Sequence, residues 1–214
     1  MTLSFPREMP FTPQLESTFE LDPGTVTARH ARGRAGTTMR VREPVWIAKY
    51  ESEPVDLATR AEWQAWANSL RGGLRMFLGW DVTRHQPFAY PNGVPSILDS
   101  SWDGTATVED LSTPGSIAVS GAPANFALRP GDRVGLVENG IHGYFEVVEP
   151  VNADGSGDMA IAVEPLVPAG LFTTAATAVL YRPRCKMVIV NGSFRCPGVA
   201  GLASVSFQAA QVLV

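Results

Sequence analysis

The sequence predicts a mainly β protein: a β-sandwich or split barrel carrying one packed α-helix, at about residues 56–71, and an inserted small barrel-like domain. Three observations predict it. Short runs rich in Val, Thr, Ile, Phe and Ala recur along the chain, many of them alternating apolar with polar residues. Twenty glycines and 17 prolines punctuate these runs as turns. One stretch free of helix breakers lies among them. With 214 residues, 45% of them hydrophobic, the chain can bury a substantial core in one large domain or two smaller ones.

In chain order, Val45-Trp-Ile-Ala-Lys-Tyr50 reads as a strand. Asp56 then stands as an N-cap before Leu57 to Leu70, and Arg71-Gly72-Gly73 ends the helix. Within it Trp63, Trp66, Ala67 and Leu70 fall on one face, which must cover a sheet, while Arg60, Gln64 and Arg71 stay wet. Leu74 to Leu78 alternates as a second strand. Gln86 to Pro95 holds three prolines and a glycine, which marks a module boundary.

From Thr105 to about Tyr181 the pattern is a β meander, beginning with strands at Thr105 to Leu111 and Ser116 to Val119. Arg129-Pro-Gly-Asp132 has the residues of a type II turn. Asn139-Gly140 predicts a two-residue hairpin between Val134 to Glu138 and Ile141 to Val148. Met159 to Val163, Ala175 to Tyr181 and Lys186 to Val190 follow. The alternating end, Ala203 to Val214, is expected to return to the first module's sheet. The domain expectation is therefore an outer module of residues 1–95 plus 182–214, with 96–181 inserted as a β-meander or barrel.

Composition also narrows function. Charged residues are 18% of the chain and the formal net charge is −4, so no overall basic field exists to hold nucleic acid. No secretory signal is read at the N-terminus and no run of about 20 apolar residues occurs, which predicts a cytoplasmic product without membrane insertion. Cys185 and Cys196 are too few for a disulfide framework and read as reduced thiols. His30, His85 and His142 are scattered, without metal-ligand spacing, and the common hydrolase, P-loop and dinucleotide motifs are missing. The expectation is a protein that is not an enzyme, with no catalytic residue, no metal and no cofactor.

Two segments invite a sharper reading. Asn152-Ala-Asp-Gly-Ser-Gly-Asp158 matches the first half of a calcium loop but lacks its closing Glu, and reads as a polar hairpin tip. Arg29, Arg32 and Arg34, followed by Arg40 and Arg42, form the chain's one notable charge cluster. It could contact nucleic acid, pair with an acidic surface on a neighbouring subunit, or be a solvated loop; these five arginines are the candidate subunit-interface residues.

The order of features resembles the distal tail proteins of siphophages. It is carried by Leu3-Ser-Phe-Pro6, the aromatic strand at Trp46, the Trp-bearing helix, Leu74-Arg-Met-Phe-Leu-Gly-Trp-Asp81 and Tyr90-Pro91. It continues through Leu128 to Val134, Gly143 to Val148, the loop at 152–157, and Arg182-Pro183 with Lys186-Met187. The resemblance implies a tail-tube-like β-sandwich that assembles as a homohexameric ring between tail tube and hub, lining the DNA channel. Implied partners are further copies of the chain, the tail tube protein, and the hub and other tail-tip proteins, with no sequence-specific nucleic-acid binding. The implied location is the virion tail tip or baseplate, after synthesis in the host bacterial cytoplasm. A rival reading from the residues themselves is a carbohydrate-binding module, with Trp80, Tyr90 and Trp102 as candidate stacking aromatics.

Overall fold

A computed structural model describes residues 3–12, 15–28, 36–93, 101–199 and 201–213. The chain is mainly β, with 43% strand and 10% helix. The first part supplies β1 (Arg7–Glu8), β2 (Leu15–Asp22), β3 (Thr25–Ala28), β4 (Thr37–Arg40), β5 (Val45–Ser52), β6 (Val55–Asp56), α1 (Leu57–Ser69) and β7 (Phe77–Gly79). The middle supplies β8 (Thr105–Asp110), β9 (Ser116–Ser120), β10 (Ala127–Leu128), β11 (Arg133–Glu138), β12 (Ile141–Val147), β13 (Val151–Asn152), β14 (Met159–Glu164) and β15 (Thr177–Val179). The return supplies β16 (Cys185–Ile189), β17 (Gly198–Val199), β18 (Leu202–Ala203) and β19 (Ser206–Gln211).

These strands form a six-stranded sheet ordered β1-β7-β16-β19-β5-β2 and a closed barrel ordered β11-β12-β14-β9-β8-β15. In the sheet, the last strand β19 lies between β16 and β5, antiparallel to both. β3 and β4 make a separate two-stranded ribbon.

Helix α1 forms where the sequence places it. Asp56 accepts the N–H of Thr59 at 2.7 Å, and the chain leaves the helix through Gly72, whose backbone is left-handed. Its indoles bury against the inner face of the sheet. Trp66 meets Phe77 edge-on at 5.0 Å and lies 5.6 Å from Phe207, and Trp63 meets Trp66 edge-on at 5.4 Å. Among the described residues neither indole N–H has a hydrogen-bond partner. Each such orphan costs about 1–3 kcal/mol, so ring burial must outweigh it. Strand β5 shows the matching alternation: Trp46, Ala48, Tyr50 and Ser52 are buried, whereas Ile47, Lys49 and Glu51 face out.

The barrel owes its shape to its turns. Gly131 has φ +93° and Asp132 donates its N–H to the Arg129 carbonyl at 3.0 Å, closing the predicted turn. Asn139 and Gly140 both take positive φ, and Glu138 pairs with Ile141 across a two-residue hairpin. Val134, Leu136, Phe145, Val147, Ile161 and Ile117 fill the interior. Strand β11 departs from simple alternation, because Arg133 and Gly135 are buried as well. A Cβ on Gly135 would stand 3.2 Å from Pro183, so the outer side of this strand is covered by the chain leaving the barrel.

One element starts later than the alternation predicts. Leu74 is 84% exposed, and the Leu70 carbonyl receives the N–H groups of both Gly73 and Arg75. The turn therefore uses up residues 71–75, and only Phe77–Gly79 enters the sheet.

Trp66→Ala is expected to lower stability by about 3–5 kcal/mol in urea unfolding, by opening a cavity under the sheet. Trp66→Phe, which removes the orphan N–H along with part of the ring, should cost less than half as much. Equal losses for the two would refute the cavity argument.

Candidate functional site

Where sheet and barrel meet, two arginines and two carboxylates form a polar cluster. Arg133 opens β11 and pairs across the ladder with Glu146 of β12. Its side chain is 1% exposed and points away from the barrel interior into the junction. There its guanidinium lies 2.7 Å from Glu146 and 3.4 Å from Asp81, which follows β7. The Trp46 ring supports it at 4.3 Å. Arg84 completes the cluster, 3.9 Å from Asp81 and 3.7 Å from Glu146. Two arginines and two carboxylates thus alternate, with one carboxylate from each module.

Neutral donors lock the surrounding groups. Ser17 donates to Asp81 at 3.0 Å, and the N–H and hydroxyl of Thr83 donate to the same oxygen. The Trp46 indole N–H donates to the Tyr144 carbonyl at 2.7 Å, and the Asp81 N–H donates to the Tyr144 hydroxyl at 3.2 Å. Tyr144 is a barrel residue by sequence but is buried in the sheet's core cluster. Burial, followed by the neighbouring Cys185, pushes its phenol well above the ordinary range, so it stays neutral. The Arg133 and Asp81 side chains, 1% and 4% exposed, are thus held in fixed positions by their partners.

The candidate interface arginines fall into two groups. Arg29, Arg32 and Arg34 lie outside the described residues. Arg40 ends the exposed ribbon strand β4, opposite Thr25. Arg42 is engaged within the chain by an ion pair with Asp22. The Asp22 carboxyl is held below its usual range mainly by the Gly24 N–H, with Arg42 adding to the effect. Arg42 therefore anchors the base of the ribbon. Sequence reasoning missed Asp81, Arg133 and Glu146 as a unit; the available signal was an Arg opening an otherwise apolar strand directly after a turn.

The remaining candidates resolve individually. In the 152–158 loop, Asp154 accepts the N–H groups of Ser156 at 2.8 Å and Asp158 at 3.0 Å, so its carboxylate serves the hairpin tip. Among the described residues no group of three or more His, Cys, Asp or Glu is placed to hold a metal. His30 lies outside the described residues, and His85 is bonded to the Val82 carbonyl at 2.7 Å. His142 has its pKa lowered, first by burial and then by Lys186. Cys185 and Cys196 are both free thiols. Among the described residues no helix is long and apolar enough to cross a membrane.

The three proposed stacking aromatics separate. Tyr90 stacks on Phe126 at 5.4 Å inside the barrel core, and its hydroxyl accepts the Ala127 N–H. Trp102 packs on the same ring at 5.1 Å and donates its N–H to the Thr105 carbonyl. Trp80 faces a cavity. That cavity, of about 150 Å³, is bounded by Phe11, Trp80, His85, Arg182 and Arg184. Comparison with known protein families and with curated proteins finds no match.

Asp81→Ala is expected to lower stability by roughly 3–5 kcal/mol, because it strips a deeply buried guanidinium of one partner. Replacing Arg133 and Asp81 together by Met and Leu should recover much of that loss. Denaturant midpoints of the three chains check both statements, and a double variant weaker than the single one would refute the pairing argument.

Stability should also fall with acid. Asp56, Asp103, Asp110 and Asp154 are held below the usual carboxyl range by hydrogen bonds from Thr59, Thr105, Ser112 and Asp158 respectively. Their contribution is complete above the unfolded value of about 3.9 and is lost as pH falls toward their lower folded values. Asp132, raised by burial, acts in the opposite sense and offsets part of this. The urea midpoint is expected to drop between pH 6 and pH 3, and Asp154→Ala should shrink the drop.

Proposed function

We propose that this chain is a structural subunit of a bacteriophage tail tip, a distal tail protein whose copies close into a ring joining the tail tube to the hub. The observation that carries the reading is the β3–β4 ribbon. Every residue of both strands is exposed, including Val26 at 53% and Met39 at 59%. A lone two-stranded ribbon is marginal in water, and apolar residues displayed on it call for a covering surface. A neighbouring copy supplies one, and a head-to-tail contact of that kind generates a ring when its rotation closes.

The outer face of the sheet supports the channel part of the reading. Glu16 and Glu20 of β2 lie beside Glu51 and Ile47 of β5, on the side opposite the buried Trp46 and Tyr50. Lys49 on this face is paired with Glu51 at 3.0 Å. A polar face with excess carboxylate repels phosphate and gives a passing DNA strand no site at which to stick. Synthesis in the host cytoplasm and residence in the virion follow from the same proposal, as do contacts with the tube, the hub and other tail-tip proteins.

Light scattering of the purified chain is expected to give a ring mass near six times 23.0 kDa. The double variant Val26→Glu/Met39→Glu should remain monomeric with an unchanged far-ultraviolet circular dichroism spectrum, which shows that the fold survives. Tail tips imaged by electron microscopy without a ring of this chain would sink the proposal.

A further inference from the structure

Among the described residues, the cavity at Trp80 is lined by two arginines, a histidine, an indole and a phenyl ring, with no carboxylate. Its walls come from the N-terminal segment, from the chain leaving the sheet after β7, and from the chain returning to β16. Each wall is fixed. The Tyr50 hydroxyl holds the Trp80 carbonyl at 3.0 Å. The Arg182 N–H donates to the His85 carbonyl at 2.9 Å, which retains Arg182 at φ +54°, a conformation that a residue with a side chain adopts at a cost. Arg184 is paired with Glu8 and lies 5.4 Å from the centre of the Trp80 ring. Among the described residues the Arg182 guanidinium has no carboxylate partner; it rests 5.0 Å over the Tyr181 ring.

His85 adds a specific requirement. Its Nδ1 lies 2.7 Å from the Val82 carbonyl, which can only accept, so Nδ1 carries the proton. With the proton on Nδ1, Nε2 of the neutral ring is an acceptor that a ligand hydroxyl could meet. A guanidinium seeking an anion, an acceptor seeking a hydroxyl and two aromatic rings seeking a flat C–H face describe one chemical class. The volume of about 150 Å³ admits a single ring and its substituent.

We infer that this cavity binds one anionic sugar residue, its carboxylate or phosphate on Arg182, a hydroxyl on His85 and its apolar face against Trp80 and Phe11. The site stands independently of ring assembly, since none of its residues lies on the β3–β4 ribbon. Such a unit would be the charged residue of a surface glycan or glycan-phosphate polymer.

The test is an NMR titration of the full chain, following the Trp80 indole N–H, with methyl β-D-glucuronide, glucose 6-phosphate, methyl β-D-glucoside, sodium acetate and N-acetylglutamate. Saturable shifts are expected with the glucuronide or the sugar phosphate, and whichever binds more tightly identifies the anion. The neutral glucoside and the two sugar-free carboxylates should each bind about tenfold more weakly, the scale of one lost charge-assisted hydrogen bond. Arg182→Gln should weaken the preferred ligand by about tenfold, and Phe11→Ser should weaken it several-fold, both at exposed positions where the fold survives. Equal binding of acetate or N-acetylglutamate would reduce the cavity to a bare carboxylate site and overturn the inference. So would equal binding of the glucoside, an unaltered affinity in Arg182→Gln, or no saturable shift with any of the five compounds.

Discussion

A guanidinium buried between two modules constrains everything around it. Arg133 leaves the barrel wall where a side chain would ordinarily meet water, and instead enters a space closed by Trp46, Tyr144 and Asp81. An ion in such a place is tolerable only if its counter-charges arrive in fixed positions. Asp81 is fixed by Ser17 from β2 and by Thr83 from its own turn, and Glu146 is fixed by the register of β12 on β11. The pair therefore selects one docking of sheet on barrel, since sliding either module would separate the charges inside a dry interface. Apolar packing alone would select less sharply, because it is nondirectional.

That single docking gives the outer surfaces their fixed relation. The sheet's inner face is consumed by α1 and by Tyr144, so its outer face is the one left to meet other molecules. The ribbon β3–β4 leaves from the same edge, since Gly24 at its base accepts the N–H groups of Val41 and Arg42, and Arg42 reaches back to Asp22 at the end of β2. A stiff base and two exposed strands suit an arm that grips a neighbour. The cavity at Trp80 lies on the connections between the modules, so its shape is also set by the docking.

Much of the local architecture was readable because it depends on neighbours in sequence. Asp56, the Trp63 and Trp66 spacing, and Gly72 define α1 through contacts three or four residues apart. Asn139-Gly140 defines its hairpin because few residue pairs accept two positive φ angles. The strand expected at Leu74 was shortened for an equally local reason, the carbonyl of Leu70 capturing two further N–H groups. The site was far less readable. The Arg cluster drew notice because its members are contiguous, yet Arg42 spends its charge on Asp22, 20 residues away. Arg133 and Asp81 are separated by 52 residues and the Trp46 indole reaches Tyr144 across 98, distances at which no periodicity carries information.

The sequence by itself determined the mainly β class, the single helix and its buried face, and the tight turns of the barrel. These follow from backbone dihedral preference and apolar spacing, which act within a few residues. Only the tertiary structure decided that Tyr144 belongs to the sheet's core, that Tyr90 and Trp102 are packing residues while Trp80 opens on a cavity, and that Arg182 stands beside it without a carboxylate partner among the described residues. Those outcomes depend on which side chains from distant segments compete for the same buried space and the same charge, and that competition is settled when the modules dock.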